Sequence, residues 1–525
     1  MRRSLAHTAR QLSRSVHGRP LSQCRVAGAR WLSSDAGHQW STPLAKQLAE
    51  AITTTGPIPV ASYMRQCLTS DLGGYYTSTA PLDRDQFGAK GDFVTSPEIS
   101  QVFGELVGIW IVAEWIAQGR KSEGVYLMEM GPGRGTLMDD VLRTIHNFPP
   151  LAKAIEAVYL VEASASLRQA QHKLLCGDNA LRETELGHES TSKHSPHLRI
   201  IWAEDLRLVP KEADKMPFIV AHEFFDALPI HIFQAHPNQA PNTIQTPTGP
   251  IEARQRSAPS SQWREMLVSP KPPHRLKEGE EEFELSLSRT ATPHSMYLPE
   301  ISPRYQRIRD IQDATIEISP ESQSYVRDLA IRLGGSNPAP PSTSKSNALP
   351  GRKAATSTAE EPLIKPEPSG AALIIDYGPP DTIPANTLRG IQAHARVSPF
   401  SSPGIVDLSA DVDFLALAET AIESSPGVEV HGPASQAAFL TAMGIEERAA
   451  QLIKRALEKE RSAGGKKGEV TELVKRVESG WKRLVDRGPQ GMGRLYQVMA
   501  ILPHTPPKEG EPRRRPVGFG GDVSV

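Results

Sequence analysis

Short apolar runs that end in glycine, acidic or aromatic residues recur along this chain. Runs of this length without strict alternation favour strands that are buried on both faces of a sheet. They occupy residues 125–130, 158–162, 198–202, 217–221, 371–376 and 495–502. The pattern therefore predicts an α/β fold in which polar residues gather where the strands end.

A helix is predicted from Ser96 to Gly119. Ser96 offers an N-cap hydroxyl, Pro97 lacks an N–H at a position where none is needed, and Glu98 complements the helix dipole. Apolar residues then recur at helical spacing, at Ile99, Val102, Phe103, Leu106, Trp110, Ala113 and Ile116. Two glutamates interrupt the run, which is too short to span a membrane, so a core-facing helix is expected. Glu98 either lines a substrate cleft or serves only as a cap.

Two further patterns lie between the apolar runs. Residues 263–268 and 283–288 alternate in period two, which predicts strands of an accessory sheet. Residues 180–197, 333–369 and 505–525 are poor in aromatic residues and rich in small, polar and proline residues, so they are predicted not to order themselves.

A glycine-rich turn follows the first strand. Gly131, Gly133 and Gly135 allow the backbone to approach a ligand closely. The dinucleotide fingerprint needs its third glycine one position later, where this chain has Thr136. Glu129 ahead of the turn suits an ammonium better than a phosphate. The pattern resembles motif I of the S-adenosylmethionine-dependent methyltransferases, which implies their class I fold with a Rossmann-like sheet and S-adenosylmethionine as the cofactor.

Two later strands also end in acidic residues. Glu162 is placed to accept hydrogen bonds from both ribose hydroxyls, as an acid does in nucleotide-binding βαβ units. NAD enzymes share this feature, so Glu162 indicates an adenosine without choosing the cofactor. Asp205 lies where methyltransferases commonly contact the adenine amino group, whereas the neighbouring Glu204 is interpreted as a solvated cap.

A polar and aromatic cluster, His222-Glu223-Phe224-Phe225-Asp226, follows the fourth strand. With this cluster the chain resembles the mitochondrial protein arginine methyltransferases of the MidA-like family. The other matching blocks are residues 56–58, 63–65, 74–76, 91–105, 221–229, 376–378, 388–390, 407–414 and 492–493. The resemblance thus extends over most of the chain.

The resemblance implies a type II enzyme, one that symmetrically dimethylates an arginine in a core subunit of respiratory complex I and is needed for complex I assembly. It implies a protein client and a place in the mitochondrial matrix. One alternative is a non-catalytic assembly chaperone that retains the S-adenosylmethionine-binding fold. Another is a nicotinamide oxidoreductase, which predicts saturable NAD binding.

Methylation of an arginine requires that the charge of its guanidinium be drawn aside, because the protonated group is a poor nucleophile. A carboxylate in bidentate contact with two nitrogens does this and fixes the third. Glu223 is the first candidate and Asp226 the second. His222 either relays a proton or shapes the cofactor pocket. Tyr377 either contacts the substrate or is an ordinary buried tyrosine.

Composition gives no indication of several kinds of binding partner and site. The net charge of −1 over 525 residues gives no reason to expect nucleic acid or an anionic membrane. Cys24, Cys67 and Cys176 form no C-x-x-C pair, so neither a disulfide framework nor a thiolate zinc site is indicated. The acids at 407, 411 and 413 are interpreted as substrate contacts or helix caps, since methyl transfer needs no metal.

The first 34 residues contain seven arginines and many serines, and no acid occurs before Asp35. Leu5, Leu12 and Val16 supply an interrupted apolar face without a continuous apolar core. These features predict a mitochondrial transit peptide rather than a secretory signal. The alternative is a disordered basic tail.

The patterns together predict a chain of seven segments. In order they are a transit peptide (1–34), a helical N-terminal region lining the substrate cleft (35–120), the first part of the methyltransferase core (121–235), an accessory strand-rich insertion (236–332), a disordered low-complexity insertion (333–369), the second part of the core with helical additions (370–504) and a disordered tail (505–525).

Overall fold

The structure is a computed structural model that describes residues 39–77, 92, 94–237, 243–246, 249–252, 261–276, 280–337, 362–463, 467–489, 491–506 and 514–520. Its helices are α1 (Pro43–Thr55), α2 (Val60–Thr69), α3 (Ser96–Ile99), α4 (Gln101–Ala117), α5 (Thr136–Ile145), α6 (Pro149–Ala154), α7 (Ala165–Cys176), α8 (Pro293–Tyr297), α9 (Pro303–Arg307), α10 (Pro320–Gly334), α11 (Phe414–Ser424), α12 (Gln436–Ala442), α13 (Ile445–Ala463) and α14 (Lys467–Val485).

The strands are β1 (Ile58–Pro59), β2 (Val125–Met130), β3 (Ile155–Val161), β4 (Arg182–Thr184), β5 (Gly187–Thr191), β6 (Arg199–Ala203), β7 (Met216–His222), β8 (His231–Pro237), β9 (Thr243–Thr246), β10 (Gly249–Glu252), β11 (Ser261–Pro270), β12 (Phe283–Leu287), β13 (Thr315–Ile318), β14 (Ala371–Tyr377), β15 (Arg389–Gln392), β16 (Ala395–Val397), β17 (Asp407–Ser409), β18 (Val428–Ser435) and β19 (Tyr496–Pro503).

The main sheet has the strand order β18-β19-β14-β7-β2-β3-β6-β5-β4. Strands β14, β7, β2, β3 and β6 are parallel, and antiparallel strands complete both edges. The chain runs outward from β2 through β3 to β6 and then returns to place β7 on the other side of β2. Open α/β sheets bind ligands at such a reversal, outside the carboxyl ends of the strands. The predicted α/β fold with a Rossmann-like sheet is confirmed.

Helices cover both faces of this sheet. On one face Val125 and Leu127 of β2 pack in a core with residues of α4 and α5. On the other face Tyr126, Met128 and Met130 pack with residues of α10 and α11. Because successive side chains of a strand point to opposite faces, a strand covered on both sides needs an unbroken apolar run.

The helix predicted from Ser96 to Gly119 is two helices, α3 and α4, which are separated at Ser100. Ser100 has an extended backbone with φ −154°, and its hydroxyl accepts a hydrogen bond from the N–H of Val102. Thr95, not Ser96, is the N-cap of α3, and Glu98 accepts a hydrogen bond from the Thr95 N–H at 3.3 Å. Serine hydrogen-bonds readily to nearby backbone groups, which favours it at a helix start over a helix interior.

A second sheet, called the accessory sheet, contains β1, β11, β8 and β13, with β12 paired to β11. The two segments that alternate in period two lie in β11 and β12, so the strand prediction there is confirmed. Trp263, Val268 and Phe283 are buried on these strands. Strand β1 comes from the N-terminal part of the chain, so the accessory sheet joins segments that are far apart in sequence.

The prediction that residues 180–197 do not order themselves was wrong. Strands β4 and β5 form a hairpin there, and β5 pairs antiparallel with β6. An edge strand presents a row of unpaired N–H and C=O groups, which a neighbouring segment can pair with whatever its side chains are. Backbone pairing therefore orders a segment whose composition indicated a loop.

Part of the C-terminal segment contacts α4 and α12. Arg514 donates a hydrogen bond to the buried carboxylate of Glu114 at 2.6 Å. Phe519 packs on Phe439 with the ring centroids 5.5 Å apart. These contacts fix residues 514–520, within the tail for which the sequence predicted disorder.

Other predictions fall on residues outside the described ranges, namely the transit peptide (1–34), residues 338–361 of the low-complexity insertion, and residues 507–513 and 521–525 of the tail. Among the helices of the described ranges, none is both long and apolar enough to cross a membrane.

Candidate functional site

A cavity of about 800 Å³ opens at the carboxyl ends of β2, β3, β6 and β7. Residues of α2 and α10 form its opposite wall. The cavity therefore lies at the reversal of strand order in the main sheet, where α/β proteins bind their ligands. The predicted site residues that line it are Glu98, Glu129, Gly131, Gly133, Thr136, Glu162, Asp205, His222 and Glu223.

The glycine turn adopts a conformation that other residues rarely take. Gly131, Gly133 and Gly135 have φ values of +61°, +52° and +84°. A Cβ atom at Gly131 would lie 2.9 Å from Cδ2 of Phe224. Gly135 does not line the cavity but is the N-cap of α5. The turn thus presents bare backbone at Gly131 and Gly133 to the cavity.

Glu129 presents a buried carboxylate to the cavity. Its Oε2 atom has no hydrogen-bond partner, and burial together with the nearby Glu162 raises the pKa of Glu129 to about 8. A buried charge without a partner is costly. A cationic group in the cavity would relieve that cost.

Glu162, just beyond β3, is held in a fixed orientation. Its Oε1 accepts a hydrogen bond from the N–H of Ser164 at 2.8 Å, and its Oε2 accepts one from Gln171 Nε2 at 3.0 Å. Gln171 is itself held, because its Oε1 accepts a hydrogen bond from the Trp202 indole N–H at 2.9 Å. Burial raises the pKa of Glu162 to about 7. Its carboxylate is ready to accept hydrogen bonds from hydroxyl groups.

Asp205 lines another part of the cavity and is already engaged. Its carboxylate accepts hydrogen bonds from the backbone N–H and the side chain of Arg207, at 2.6 to 2.9 Å, which lowers its pKa. Glu204 beside it is largely exposed and lies 3.8 Å from Arg168. Asp205 therefore has to share its acceptor atoms if it also contacts a ligand.

Glu223 lies where β7 ends and has a left-handed backbone with φ +49°. Residues other than glycine rarely hold this conformation, and such strain clusters at functional sites. Glu223 Oε2 accepts a hydrogen bond from the Tyr377 hydroxyl at 3.1 Å, whereas Oε1 has no hydrogen-bond partner. Burial, with the charge of Asp226, raises the pKa of Glu223 to about 8.

His222 is a buried and neutral side chain. Burial lowers its pKa to about 3, and its ring packs on Phe103 with the centroids 5.0 Å apart. Its Nε2 atom lies 3.3 Å from Glu223 Oε1 without forming a hydrogen bond. A group that resists protonation is a poor proton relay, so the geometry favours the interpretation that His222 shapes the pocket.

Asp226 is buried and does not line the cavity. Its Oδ2 accepts a hydrogen bond from Ser409 Oγ at 3.0 Å. Asp376 fixes the adjacent turn, because its Oδ2 accepts hydrogen bonds from the N–H groups of Phe224, Phe225 and Asp226 at 3.1, 2.8 and 3.3 Å. Asp226 is therefore part of the support for the cavity wall rather than of its surface.

Acidic groups accumulate beneath Glu223. Burial raises the pKa of Asp226 to about 6 and those of Asp376 and Asp407 well above the usual range. Arg389 is the cation whose charge lowers the pKa of Asp226. Desolvation by burial is the main cause of these shifts, and the repulsion between neighbouring carboxylates adds to it. Positive charge brought close to this cluster would favour the ionised forms.

Glu98 and Tyr377 were the predicted substrate contacts. Glu98 lines the cavity, and its Oε1 lies 3.9 Å from Arg134 in the glycine turn. Tyr377 does not line the cavity but lies between Glu223 and Tyr496, with its ring centroid 4.3 Å from that of Tyr496. Glu98 thus caps α3 and also lines the cavity, whereas Tyr377 contacts Glu223 behind the cavity wall.

The sequence patterns did not identify several of the residues that line the cavity. Arg65 of α2 pairs with Glu321 of α10, and Tyr325 of α10 packs edge-on against Phe224. The resemblance included Arg65 in a matching block, but no local pattern marked it as a site residue. The two α10 residues lie far along the chain from the glycine turn and carry no motif.

The three acids at 407, 411 and 413 have separate partners. Asp407 accepts a hydrogen bond from the Tyr76 hydroxyl at 3.1 Å, and Asp411 pairs with Arg389. Asp413 caps α11 and accepts a hydrogen bond from Arg304 at 2.9 Å. The helix-cap interpretation is thus confirmed for Asp413.

Comparison with known proteins places the chain in a family. Residues 106–434 match the family described as "Putative S-adenosyl-L-methionine-dependent methyltransferase". The chain belongs to this family. Among curated relatives, the human "Protein arginine methyltransferase NDUFAF7, mitochondrial" is 33% identical over 466 residues, covering 88% of this chain and 84% of that protein. Its Drosophila melanogaster homolog is 32% identical over 472 residues, covering 90% and 86%.

Two crystal structures of proteins from Burkholderia thailandensis share the fold. One, bound to S-adenosyl-homocysteine, has a TM-score of 0.57 at 21% identity, and the alignment covers 88% of this chain and 92% of that one. The other, a native structure, has a TM-score of 0.54 at 19% identity with the same coverage. The predicted class I methyltransferase fold and the membership of the family are confirmed.

The cofactor of this family is S-adenosylmethionine, and the residues present fit it. The unpartnered oxygen of Glu129 matches the ammonium of its amino-acid end. The bare backbone of Gly131 and Gly133 allows that end to approach closely. The fixed carboxylate of Glu162 matches the ribose hydroxyls. These residues would hold the cofactor, which would supply an electrophilic methyl group.

Proposed function

We propose that this protein is a protein-arginine N-methyltransferase that symmetrically dimethylates an arginine in a core subunit of mitochondrial complex I. The observation that carries the proposal is Glu223, a buried carboxylate on the cavity wall whose Oε1 lacks a hydrogen-bond partner. The names of the curated relatives support arginine as the acceptor.

Glu223 meets the requirement that the chemistry of a guanidinium sets. When bound, S-adenosylmethionine supplies an electrophilic methyl group. Glu223 binds two guanidinium nitrogens, draws the positive charge toward itself and leaves the lone pair of the remaining nitrogen available. Its raised pKa falls as the cation arrives, so binding and ionisation of Glu223 support each other. After transfer its Oε1 can accept the proton that the methylated nitrogen releases.

The proposal includes a protein client and a place in the mitochondrial matrix. The curated relatives are named as mitochondrial proteins, and the basic, serine-rich N-terminus agrees with import. Acidic residues at the cavity, including Glu98 and Glu223, suit a client segment that carries an arginine.

The test uses purified protein, labelled S-adenosylmethionine and mitochondrial extract from cells that lack this enzyme. We expect label in one complex I core subunit, recovered as symmetric dimethylarginine after acid hydrolysis. Label in asymmetric dimethylarginine or in another amino acid would contradict the assignment. Cofactor binding without any labelled product would favour the assembly-chaperone alternative.

A further inference from the structure

A cluster of nitrogen and oxygen ligands lies on the accessory sheet, outside the cofactor cavity. His231 of β8, Glu265 of β11 and His294 of α8 place one ligand atom each within 4.8 Å of one another. His231 and Glu265 are buried, and His294 is half exposed. None of the three lines the cavity, so the reaction proposed for Glu223 leaves this cluster unexplained.

The two imidazoles face the same carboxylate oxygen. Nδ1 of His231 lies 2.7 Å from Glu265 Oε1, and Nδ1 of His294 lies 3.7 Å from it. The ring centroids of the two histidines are 4.3 Å apart. The hydrogen bond between His231 and Glu265 explains the position of His231. It does not explain the position of His294, whose Nδ1 lies near the same Glu265 oxygen.

Neighbouring groups fix the carboxylate in this orientation. The Thr292 hydroxyl donates a hydrogen bond to Glu265 Oε2, which leaves Oε1 for the two histidines. The ring of His231 is stacked on Phe233 at an interplanar angle of 6°. Partners that orient a ligating carboxylate and a ligating imidazole are a regular feature of metal sites in proteins.

We propose that His231, Glu265 and His294 bind a zinc ion that ties α8 to the accessory sheet. Two imidazole nitrogens and one carboxylate oxygen are ligands that zinc accepts, with a water completing a tetrahedral set. The half-exposed side of His294 is where that water has access.

The geometry needs only a small adjustment. Zinc bonds of about 2.0–2.2 Å at tetrahedral angles separate ligand atoms by roughly 3.3 Å, which lies between the two distances seen here. His294 is on a helix of five residues and is half exposed, so it can move toward Glu265. Zinc binding through Nδ1 of His231 replaces the hydrogen bond between this nitrogen and Glu265, because a ligating imidazole nitrogen must carry no proton.

The test measures zinc binding by the purified full-length chain without an affinity tag, in competition with a chromophoric chelator. We expect one zinc ion per chain, and a rise in melting temperature when zinc is added. His294→Ala should weaken binding at least tenfold and abolish that rise, since even the loss of an outer partner costs ten- to a hundred-fold. This variant removes a half-exposed side chain and should fold normally, which circular dichroism verifies.

The matched control is His274→Ala, which removes an exposed histidine of the segment between β11 and β12. It should bind zinc and respond to it as the unaltered chain does. Equal affinity in the unaltered chain and in His294→Ala would overturn the proposal, as would less than one zinc ion per chain. Neither outcome depends on methyltransferase activity.

Discussion

The hydroxyl of Tyr377 donates a hydrogen bond to Glu223 Oε2 at 3.1 Å, although 154 positions separate the two residues along the chain. They meet because β7 and β14 are neighbouring parallel strands, with His222 opposite Ile375. Glu223 directly follows β7 and Tyr377 is the last residue of β14, so both residues lie at the same edge of the sheet. Tyr377 thus fixes one oxygen of Glu223, while the other, which has no hydrogen-bond partner, lies beside His222.

Glu223→Gln should remove methylation and keep cofactor binding. The neutral amide can neither draw charge from a guanidinium nor accept its proton, so we expect kcat to fall at least 100-fold, within the range for a lost acid–base group. Single-turnover assays with a client peptide and calorimetry with S-adenosylmethionine measure the two effects. The matched control is Glu317→Gln, at a buried glutamate that accepts hydrogen bonds from Thr387. If Glu223→Gln retained full activity, the role assigned to this carboxylate would be wrong.

The activity should rise with pH and level off above about pH 8. The pKa of Glu223 is raised to about 8, so the carboxyl group is largely protonated below that value and ionised above it. The ionised form binds the guanidinium, and kcat/KM for the client reports the free group when S-adenosylmethionine is saturating. A flat profile across this region would contradict the prediction.

Tyr377→Phe should move the same profile to higher pH. The Tyr377 hydroxyl stabilises the ionised carboxylate of Glu223 and lowers its pKa, so its removal raises that pKa further. At neutral pH we expect kcat/KM of this variant to be lower than that of the unaltered chain. The difference should largely disappear at alkaline pH, whereas a purely structural defect would lower kcat/KM at every pH. Tyr63→Phe serves as the control, since this buried hydroxyl donates to the Pro399 carbonyl instead.

Gly131→Val should abolish cofactor binding while the fold remains. The side chain would strain a backbone with φ +61°, by about 1–2 kcal/mol, and collide with Phe224 in the cavity. Gly177→Val is a close control, because Gly177 has φ +62° and open space around it. Both variants strain a backbone with positive φ and should lower the melting temperature, but Gly177→Val should bind S-adenosylmethionine normally. Unchanged affinity in Gly131→Val would refute the placement of the cofactor.

Glu162→Gln should weaken the binding of S-adenosylmethionine by roughly 1.5–3 kcal/mol, or about ten- to a hundred-fold in affinity. This is the loss expected when hydrogen bonds to a charged acceptor are weakened. Glu156→Gln changes the same strand at its opposite end, where Glu156 accepts a hydrogen bond from the N–H of Gly124. That control should leave the affinity as it is. Equal affinities for the two variants in calorimetry would show that Glu162 does not hold the cofactor.

Local patterns predicted the parts of the fold that local physics determines. The apolar runs of the main sheet and the alternating strands of the accessory sheet are where the sequence placed them. The glycine turn was predicted because its spacing is short-range. The interruption at Ser100 was missed, since helical spacing of apolar residues continues across it while one serine takes the conformation of a cap.

Relationships across the chain could not be derived in this way. Asp376 follows an apolar run like any acid at a strand end, and nothing local shows that it accepts three backbone N–H groups near residue 225. Tyr496, which contacts Tyr377, becomes relevant only once β19 pairs with β14. Burial likewise shifts the pKa values of His222 and Glu223. Their burial could not be derived from the sequence, because side-chain identity does not determine solvent access.

The position of β19 sets the order in which the protein can mature. Strand β14, which carries Asp376 and Tyr377, has β7 on one side and β19 on the other, and β19 is formed by residues 496–503 near the end of the chain. A nascent chain that has not yet emerged to that point leaves the edge of β14 uncovered. Assembly of the site therefore requires residues 496–503 to be available for pairing with β14, and a fragment that stops before residue 496 should remain inactive.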